Sequence, residues 1–304
     1  MIHPRKLRDL TLEPGERPHL AAASGLVRVG DWLYVIADDE NFLGVFPAEG
    51  NAPGRRLPFD HSVLPQDHGA RKAAKPDLEA LAHLPREVWP PYGALLALAS
   101  GSTPRRRRGA LLAPNSDGTA STQRTLDLTP LYTALETEIP ELNIEGAAVV
   151  GDSLRLLQRG NGRDGVNAVV ELDLNGVCEH LASSQTLPAS LLRGIQRCDL
   201  GTHGGMRLTF TDASPLPDGR MVFAAVAEDC PNTYDDGPVV AAAVGVMDAQ
   251  ARVVSMESLN PVLKIEGVHA TLQEDGIALL LVADADDESH PAPLLAARLR
   301  GPAR

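Results

Sequence analysis

The sequence predicts an all-β fold, a β-propeller, because five short polar clusters recur at nearly equal spacing and each precedes an apolar strand. The anchor residues of the clusters are separated by 55, 66, 67 and 54 positions, and 62 more residues lead from the last anchor through the C-terminus to the first. Such spacing around a closed circuit is typical of a ring of repeated sheets, called blades. The anchors are Ser24, Glu79, Glu145, Asp212 and Glu266.

The first repeat begins with a predicted β-hairpin. Strands at residues 26–29 and 32–36 flank Gly30-Asp31, a two-residue turn of the type that favours a hairpin. Residues 42–46 supply a third strand. Residues 47–76 are rich in Pro, Gly and His and interrupt the rhythm of strands, so they predict a long surface loop.

The other four repeats follow the same order of strand, turn and strand. Two segments between repeats, 131–138 and 187–192, predict short helices. An N-terminal strand at 7–12 is expected to complete the last blade and close the ring, which removes a free sheet edge. The remaining strands are predicted at residues 78–84, 93–98, 110–112, 147–150, 153–158, 168–172, 220–227, 239–247, 277–283 and 294–299.

The number of blades follows from the anchors. Five anchors in 304 residues allow about 61 residues for each blade, whereas four strands usually need about 40 to 50. The surplus could be long loops, or it could contain a sixth, degenerate blade within residues 47–75 or 172–206. We predict five blades and keep six as the alternative.

Composition favours one domain over residues 1–304. Hydrophobic residues make up 43% of the chain and charged residues 22%, which is typical of a globular protein, and 27 Gly with 24 Pro indicate many tight turns. All-β rings reach this length without splitting, since each blade packs only on its neighbours. The net charge of −12 argues against nucleic acid and anionic membranes as partners, because it repels their phosphates. The one basic run, 105–108, is short and has no interleaved aromatic residues, so it does not change this expectation.

The sequence also predicts a compartment. The first eight residues are charged and lack the apolar stretch of a secretory signal, and the apolar run at 277–283 is far too short to span a bilayer. Cys178, Cys198 and Cys230 show neither the number nor the spacing of a disulfide framework or zinc site. These features predict a cytoplasmic protein.

The acidic anchors form the first candidate site. If each begins an inner strand, four carboxylates meet near the axis of the ring, where like charges raise one another's pKa values. Calcium fits such a cluster, because it accepts six to eight oxygen ligands with loose geometry. The alternative is neutralisation by Lys75, Lys264, Arg107 and Arg159, with no cofactor. The predicted metal ligands are Glu79, Glu145, Asp212 and Glu266, and the candidate catalytic residues are Glu145, Glu266 and His269.

A second set of polar residues lies mostly at the ends of the strands that follow. Loops from every blade converge at the mouth of a propeller channel, which makes that mouth a common place for ligands. The alternative is that Asp and Asn only bond their own backbone in turns. The predicted ligand-binding residues are Asp38, Lys75, Ser102, Arg107, Arg159, Asn161, Glu228, Asp284, Asp286 and Lys264.

Several stretches resemble known propeller families. The chain carries Lys-Pro-Asp-x-Glu-Ala from Lys75, Ser-Gly-Ser-Thr-Pro from Ser100, Asn-Ile-Glu-Gly-Ala from Asn143, Gln-Arg-Gly-Asn-Gly from Gln158 and Lys-Ile-Glu-Gly from Lys264. In these it resembles an uncharacterised bacterial β-propeller family, and more distantly the phytase-like esterase domain propellers. The resemblance implies a propeller over nearly the whole chain and fixes no activity.

Two functions of different class are consistent with these residues. The first is a propeller that binds a small molecule or a protein partner in its acid-rich channel without catalysis, and the basic run with Lys75 favours an anionic ligand. The alternative is a calcium-dependent hydrolase of a lactone or phosphate ester, in which a metal polarises the substrate. A serine hydrolase is not expected, because the chain has no Gly-x-Ser-x-Gly motif.

Overall fold

The computed structural model describes residues 1–15, 17–59, 64–65, 67–163, 165–229, 237–285 and 287–300. Its strands form five four-stranded antiparallel sheets in a ring, together with one small two-stranded sheet. The fold is therefore an all-β propeller of five blades, as predicted. The described residues contain no helix that is long and apolar enough to cross a membrane.

The strands follow one another along the chain blade by blade. Strand β1 spans Arg5–Asp9 and belongs to the last blade. Blade 1 consists of β2 (Ala23–Val29), β3 (Trp32–Ala37), β4 (Phe42–Pro47) and β5 (Arg55–Pro58), and is followed by helix α1 (His68–Ala74). Blade 2 consists of β6 (Leu78–Leu84), β7 (Ala94–Ala99), β8 (Arg108–Pro114) and β9 (Ala120–Asp127), and is followed by α2 (Thr129–Leu135).

The remaining blades keep the same order. Blade 3 contains β10 (Ile144–Val150), β11 (Ser153–Gln158), β12 (Asn167–Asp173), helix α3 (Leu174–Ser183), a 3-10 turn at Ala189–Leu191 and β13 (Leu192–Cys198). The small hairpin of β14 (Thr202–His203) and β15 (Met206–Arg207) leads to blade 4, which contains β16 (Thr209–Pro215), β17 (Met221–Glu228), β18 (Val239–Met247) and β19 (Val253–Ser258). Blade 5 contains β20 (Ile265–Gln273), β21 (Gly276–Ala283) and β22 (Pro293–Arg300).

The N-terminus closes the ring. Strand β1 pairs antiparallel with β22, so the last blade has the order β1-β22-β21-β20. The predicted closing strand is confirmed, although it begins and ends earlier than residues 7–12. Closure in this way leaves β20 as the inner strand of blade 5, next to β2 of blade 1.

Several expectations about the segments between strands were wrong. Residues 47–76 are not only a loop, because they contain β5 and α1. The helix predicted at 187–192 shrinks to one 3-10 turn, whereas α3 was not predicted. Asp173 caps α3 by accepting the Gly176 N–H at 2.6 Å. These elements use up the surplus length, and the described residues contain no sixth blade.

The apolar core lies between neighbouring blades. Between blades 2 and 3, Leu96 and Leu156 are fully buried together with residues of α2 and α3. Tyr132 of α2 is also fully buried, and its hydroxyl donates to the Ala99 carbonyl at 2.7 Å. The helices therefore cover the outer part of this interface and do not enter the channel.

The inner strands β2, β6, β10, β16 and β20 surround the channel, and each contains a β-bulge near its start. The register shifts place one extra residue at the bulge, and this residue is Ser24, Glu79, Glu145, Thr211 or Glu266. Four of the five predicted anchors therefore occupy equivalent positions. The predicted fourth anchor, Asp212, lies one residue past its bulge. Since a shift of one residue along a strand turns the side chain to a different direction, Asp212 is not equivalent to the other anchors.

The residue after each bulge is small in four of the five blades, which lets the inner strands approach closely. A Cβ on Gly146 would lie 2.9 Å from the Asp212 Cα, and a Cβ on Gly267 would lie 3.1 Å from backbone atoms of Gly25 and Leu26. These contacts are with backbone, which moves less readily than a flexible side chain. Glycine at these positions is needed to close the ring.

We expect Gly146→Ala to lower the free energy of unfolding by about 1–3 kcal/mol, because the added methyl overpacks the contact between β10 and β16. Gly194→Ala in outer strand β13 of the same blade is the matched control, since a Cβ there meets nothing within 4 Å. Chemical denaturation of both variants measures the difference. Equal stabilities would contradict the proposed need for glycine.

Candidate functional site

A small polar cavity lies at the end of the channel where the five bulges meet. Its volume is about 50 Å³, enough for one ion or one to two waters. We call it the axial cavity. It is lined by Ser24, Asp38, Lys72, Lys75, Asp77, Glu79, Arg106, Asn143, Glu145, Arg159, Asn161, Lys264, Glu266 and Asp284.

The bulges explain how three glutamates reach this cavity. Glu79, Glu145 and Glu266 occupy the same bulge position in blades 2, 3 and 5, and all three line the cavity. Ser24 supplies a hydroxyl from blade 1. In blade 4 the position is taken by Thr211, which is fully buried and donates to the Ile265 carbonyl at 2.7 Å.

Arg159 joins the acids of three blades on one side of the cavity. Its guanidinium lies 2.6 Å from Glu228, 3.4 Å from Glu145 and 3.9 Å from Glu266. Lys264 lies 3.0 Å from Asp284 and about 4 Å from Glu228 and Glu266. Since these side chains are almost entirely buried, each charge depends on its neighbours for compensation.

A second cluster of ion pairs lies on the opposite side. The Lys75 ammonium bonds to Asp38 and lies 3.1 Å from Asp77. Arg106 lies 3.0 Å from Asp77. Burial opposes the charge on Lys75, but Asp38, Asp77 and Glu79 raise its pKa above the ordinary value, so the ammonium stays charged.

Two glutamates of the cavity form no hydrogen bond with the described residues, and the nearest bases compensate for their charge only in part. Both carboxylate oxygens of Glu266 are buried and accept no hydrogen bond from any described residue, and the residue is only 4% exposed. Glu79 forms no hydrogen bond and no ion pair within 4 Å in the described part of the chain. Burial raises the pKa of both carboxyls well above the ordinary value. The charges of Arg159 and Lys264 oppose this at Glu266 and that of Lys75 opposes it at Glu79, whereas Glu145 adds to it in both cases.

The charges around the cavity do not balance. Among the described residues that line it, six carboxylates face five basic side chains. Glu228 adds a further carboxylate just behind Arg159. The excess must be balanced by protons on the carboxyls or by a cation. Asp38, Asp77 and Glu79 each offer an oxygen, and these oxygens lie within 4.8 Å of one another. An oxygen-only donor set with orphaned carboxylate oxygens fits a hard cation such as calcium.

A larger cavity opens above the axial cavity toward solvent. It has a volume of about 430 Å³, and Asp38, Lys75 and Asp284 line both spaces. We call it the mouth cavity. Its wall includes Arg71 and Lys72 of α1, and Arg71 lies 2.9 Å from Glu40. The mouth cavity has the size of a small-molecule site, and the axial cavity forms its polar floor.

Most of the predicted site residues come together. The described residues of the predicted set that line the axial cavity are Asp38, Lys75, Glu79, Glu145, Arg159, Asn161, Lys264, Glu266 and Asp284. Glu228 lies behind them on Arg159, and Ser102 accepts a hydrogen bond from Arg106 at 3.0 Å. Asp286 lies outside the described residues.

Three predicted residues lie elsewhere. Asp212 is one level deeper in the channel, where its Oδ2 accepts the Val268 N–H at 2.8 Å. His269 lies deeper still on β20, and burial lowers its pKa to about 4, so its imidazole is neutral. Arg107 points away from the axis and pairs with Glu136 of α2. Arg106 takes the neutralising place that was predicted for Arg107.

Asp77, Arg106 and Asn143 line the cavity and were not predicted. A signal for two of them was present in the sequence. Asp77 and Asn143 each come immediately before an inner strand and precede its bulge glutamate by two residues, so the polar residue repeats at the same place in blades 2 and 3. Asn143 uses this position to donate to Glu145 at 2.7 Å. The orientation of Arg106 depends on a turn and has no comparable signal.

We expect Glu266→Gln to become more stable than the wild type as the pH rises. The folded protein holds the proton on Glu266 to higher pH than the unfolded chain does, so ionisation of this carboxyl destabilises the fold above its ordinary pKa. In chelator, the two proteins should have equal stability near pH 5. At pH 8 the variant should be more stable by about 1 kcal/mol or more, since one pKa unit corresponds to about 1.4 kcal/mol.

Thermal melting from pH 5 to 9 tests this expectation. Glu87→Gln is the control, because the Glu87 side chain is 75% exposed. A Glu266→Gln variant less stable than the wild type at pH 8 would contradict the expectation. The contacts of the wild-type Glu266 carboxylate with Arg159 and Lys264 would then stabilise the fold, and the carboxylate would not be in excess of the bases around it.

Comparisons with known proteins support the fold and identify the family. Myxococcus xanthus glutaminyl cyclase is 10% identical, with a TM-score of 0.51 over 99% of this chain and 98% of that one. A luciferin-regenerating enzyme is 10% identical with a TM-score of 0.49, covering 100% and 98% of the two chains. Cellvibrio cellulosa α-L-arabinanase is 12% identical with a TM-score of 0.46, covering 94% of each. At 10% identity the match to the glutaminyl cyclase concerns the fold alone.

Sequence comparison is more specific. None of the curated protein sequences matches this chain significantly. The resemblance to phytase-like esterase domains stays a prediction. A family model described as a family of unknown function (DUF6929) matches residues 19–299, nearly the whole chain, and the protein therefore belongs to that family.

Proposed function

We propose that this protein binds a small ligand at the mouth of its channel, with a divalent cation held in the axial cavity beneath the ligand. The observation that carries the proposal is the Glu266 carboxylate, which is buried, lines the cavity and accepts no hydrogen bond from the described residues. A buried carboxylate that accepts no hydrogen bond is costly, and the nearest bases, Arg159 and Lys264, lie as far as 3.9 and 4.0 Å from it. A bound cation would remove that cost.

Calcium suits the donor set best. Glu79, Glu145 and Glu266 supply carboxylates from three blades, and Asp38 and Asp77 supply further oxygens close to Glu79. Calcium takes six to eight oxygen ligands at about 2.3–2.6 Å with variable geometry, whereas magnesium demands a near-ideal octahedron. A ring of side chains from separate blades fits the first requirement more readily.

The ligand would occupy the mouth cavity. A volume of about 430 Å³ suits a metabolite-sized molecule. The described wall has five carboxylates against three basic side chains, Arg71, Lys72 and Lys75, so the cation below would supply the charge that attracts an anionic group such as a carboxylate or phosphate. Binding in this place needs no chemical step, so the protein could act purely as a binding propeller.

A calcium-dependent hydrolase of a lactone or phosphate ester is the second candidate. It is favoured by the position of the axial carboxylates on the floor of the open mouth cavity, where a bound substrate would meet them. The cation would polarise the substrate oxygen. A cavity carboxylate outside the ligand set of the cation would accept a proton from the attacking water and return it to the leaving oxygen. Turnover of lactones and phosphate esters, screened with calcium present, distinguishes this candidate from binding alone.

We expect calcium to raise the melting temperature of the chelator-stripped protein. A ligand that binds only the folded state stabilises it by about 2.7 kcal/mol at a hundredfold excess over its dissociation constant, which is a shift of several degrees. Magnesium should act more weakly. The double variant Glu79→Gln with Glu266→Gln should lose the calcium shift, because both uncompensated charges are gone.

Titration calorimetry in buffers of different ionisation enthalpy gives a second readout. Calcium should release protons, since the carboxyls that bind it hold protons in its absence. The control Glu87→Gln should respond as the wild type does. No calcium shift and no heat in the wild type would show that protons alone balance the axial charge, and the proposal would fail.

Lys75 should compete with the cation. Its ammonium is a tethered positive charge that lies between Asp38 and Asp77. We expect Lys75→Met to bind calcium about tenfold more tightly, because a competing charge is removed from the carboxylates. The variant should also melt lower without calcium, since two buried acids lose their partner. Lys6→Met is the control, because the Lys6 side chain is 56% exposed. Unchanged affinity in a folded Lys75→Met would contradict this competition.

A further inference from the structure

The run of four arginines at 105–108 is divided between two places. Arg106 is 7% exposed and points inward, where it pairs with Asp77 of the axial cavity. Arg105, Arg107 and Arg108 line a separate groove between blades 1 and 2. Of the four arginines, Arg106 contributes to the axial cavity. The positions of the other three guanidinium groups therefore need a different explanation.

The groove has a volume of about 980 Å³. We call it the arginine groove. Phe59, Leu78 and Leu126 line it, and each is less than 9% exposed. Thr125 and Thr186 add hydroxyl groups to the wall. The groove thus combines an apolar floor with a basic rim.

The basic rim is only partly neutralised. Arg107 is held by Glu136 and by the Thr133 hydroxyl at 3.1 Å, and its buried Nε has no hydrogen-bond partner among the described residues. Arg105 and Arg108 form no hydrogen bond and no ion pair within 4 Å in the described part of the chain. Among the described residues that line the groove, the acid is Asp127, which accepts the Thr129 N–H at 2.9 Å and, as the cross-strand partner of Arg108, gives that arginine a nearby counter-charge.

We propose that the arginine groove is a second ligand site, which binds a small organic anion with an apolar body. The anionic group, a carboxylate or a phosphate, would lie against Arg105 and Arg108, with Arg107 fixed behind them. The apolar body would cover Phe59, Leu78 and Leu126. An inorganic ion is too small to fill a groove of this size, and a neutral apolar molecule would leave the guanidinium groups without a counter-charge.

This site is independent of the proposed function. The protein carries a net charge of −12, which opposes anions in general. Anion binding therefore requires a local excess of bases, and Arg105, Arg107 and Arg108 supply one against Asp127, the acid among the described residues of the groove, without the axial carboxylates. A failure of cation binding in the channel would leave the inference for the groove unchanged.

Fluorescence titration with 8-anilinonaphthalene-1-sulfonate tests the inference, because this probe is an anion with an apolar body. We expect binding at one site in the wild type and about tenfold weaker binding in the double variant Arg105→Gln with Arg108→Gln, since hydrogen bonds to charged groups are the stronger kind. The double variant Arg105→Lys with Arg108→Lys should keep most of the affinity. Octanoate or octyl phosphate should displace the probe, and the more effective of the two identifies the preferred anionic group.

Controls separate the groove from the mouth cavity and from nonspecific adsorption. Arg86→Gln should bind the probe as the wild type does, because the Arg86 side chain is 77% exposed and outside the groove. Glu266→Gln should also leave probe binding unchanged. The inference is overturned if N-phenyl-1-naphthylamine, the neutral analogue, binds equally well. It is also overturned if the folded Arg105→Gln and Arg108→Gln double variant binds normally, if neither octanoate nor octyl phosphate displaces the probe, or if Glu266→Gln alone weakens binding.

Discussion

The close approach of the five inner strands is the constraint on which the rest of the structure depends. Because Gly146 and Gly267 contact the backbone of the next blade, the bulge residues of all five blades meet around the axis. Three of those residues are glutamates. Geometry that closes the ring therefore concentrates negative charge, and the surrounding side chains must compensate for it. The close approach of the inner strands thus brings the bulge glutamates together at this end of the channel, and basic side chains lie around them.

That compensation ties different parts of the chain together. Arg159 comes from the end of β11 but pairs with glutamates of blades 3, 4 and 5, and Lys75 reaches from the end of α1 to Asp38 of blade 1. Buried ion pairs of this kind contribute little net stability, because desolvation offsets most of the attraction. Their removal one partner at a time is nevertheless costly. The network thus fixes the relative positions of the blades at this end of the channel, and it does so around a charge that it does not fully balance.

Sequence reasoning predicted the ring and most of the axial residues, because the spacing of the anchors reports blade length and the Glu-Gly steps mark the bulges. It placed the fourth anchor at Asp212 instead of Thr211, since three of the other anchors are acidic and the register of a bulge cannot be read from one sequence. It also assigned Arg107 to the channel, where Arg106 is found. Adjacent residues in a turn differ in direction by backbone angles that composition does not encode. Helix α3 was missed because its apolar residues continue directly from strand β12.

Glu266, a buried carboxylate that accepts no hydrogen bond from the described residues, is stronger evidence for function than the fold is. Propellers support many activities, so the ring says little about what is bound. A glutamine at position 266 would keep the shape and avoid the cost of a buried charge, and a stable scaffold has no need for the carboxylate. The cavity instead keeps more acids than bases beneath an open mouth. Burying more carboxylates than bases costs free energy of folding, and a cation that binds among them recovers that free energy. The axial cavity therefore says more about the ligand than the shape of the ring does.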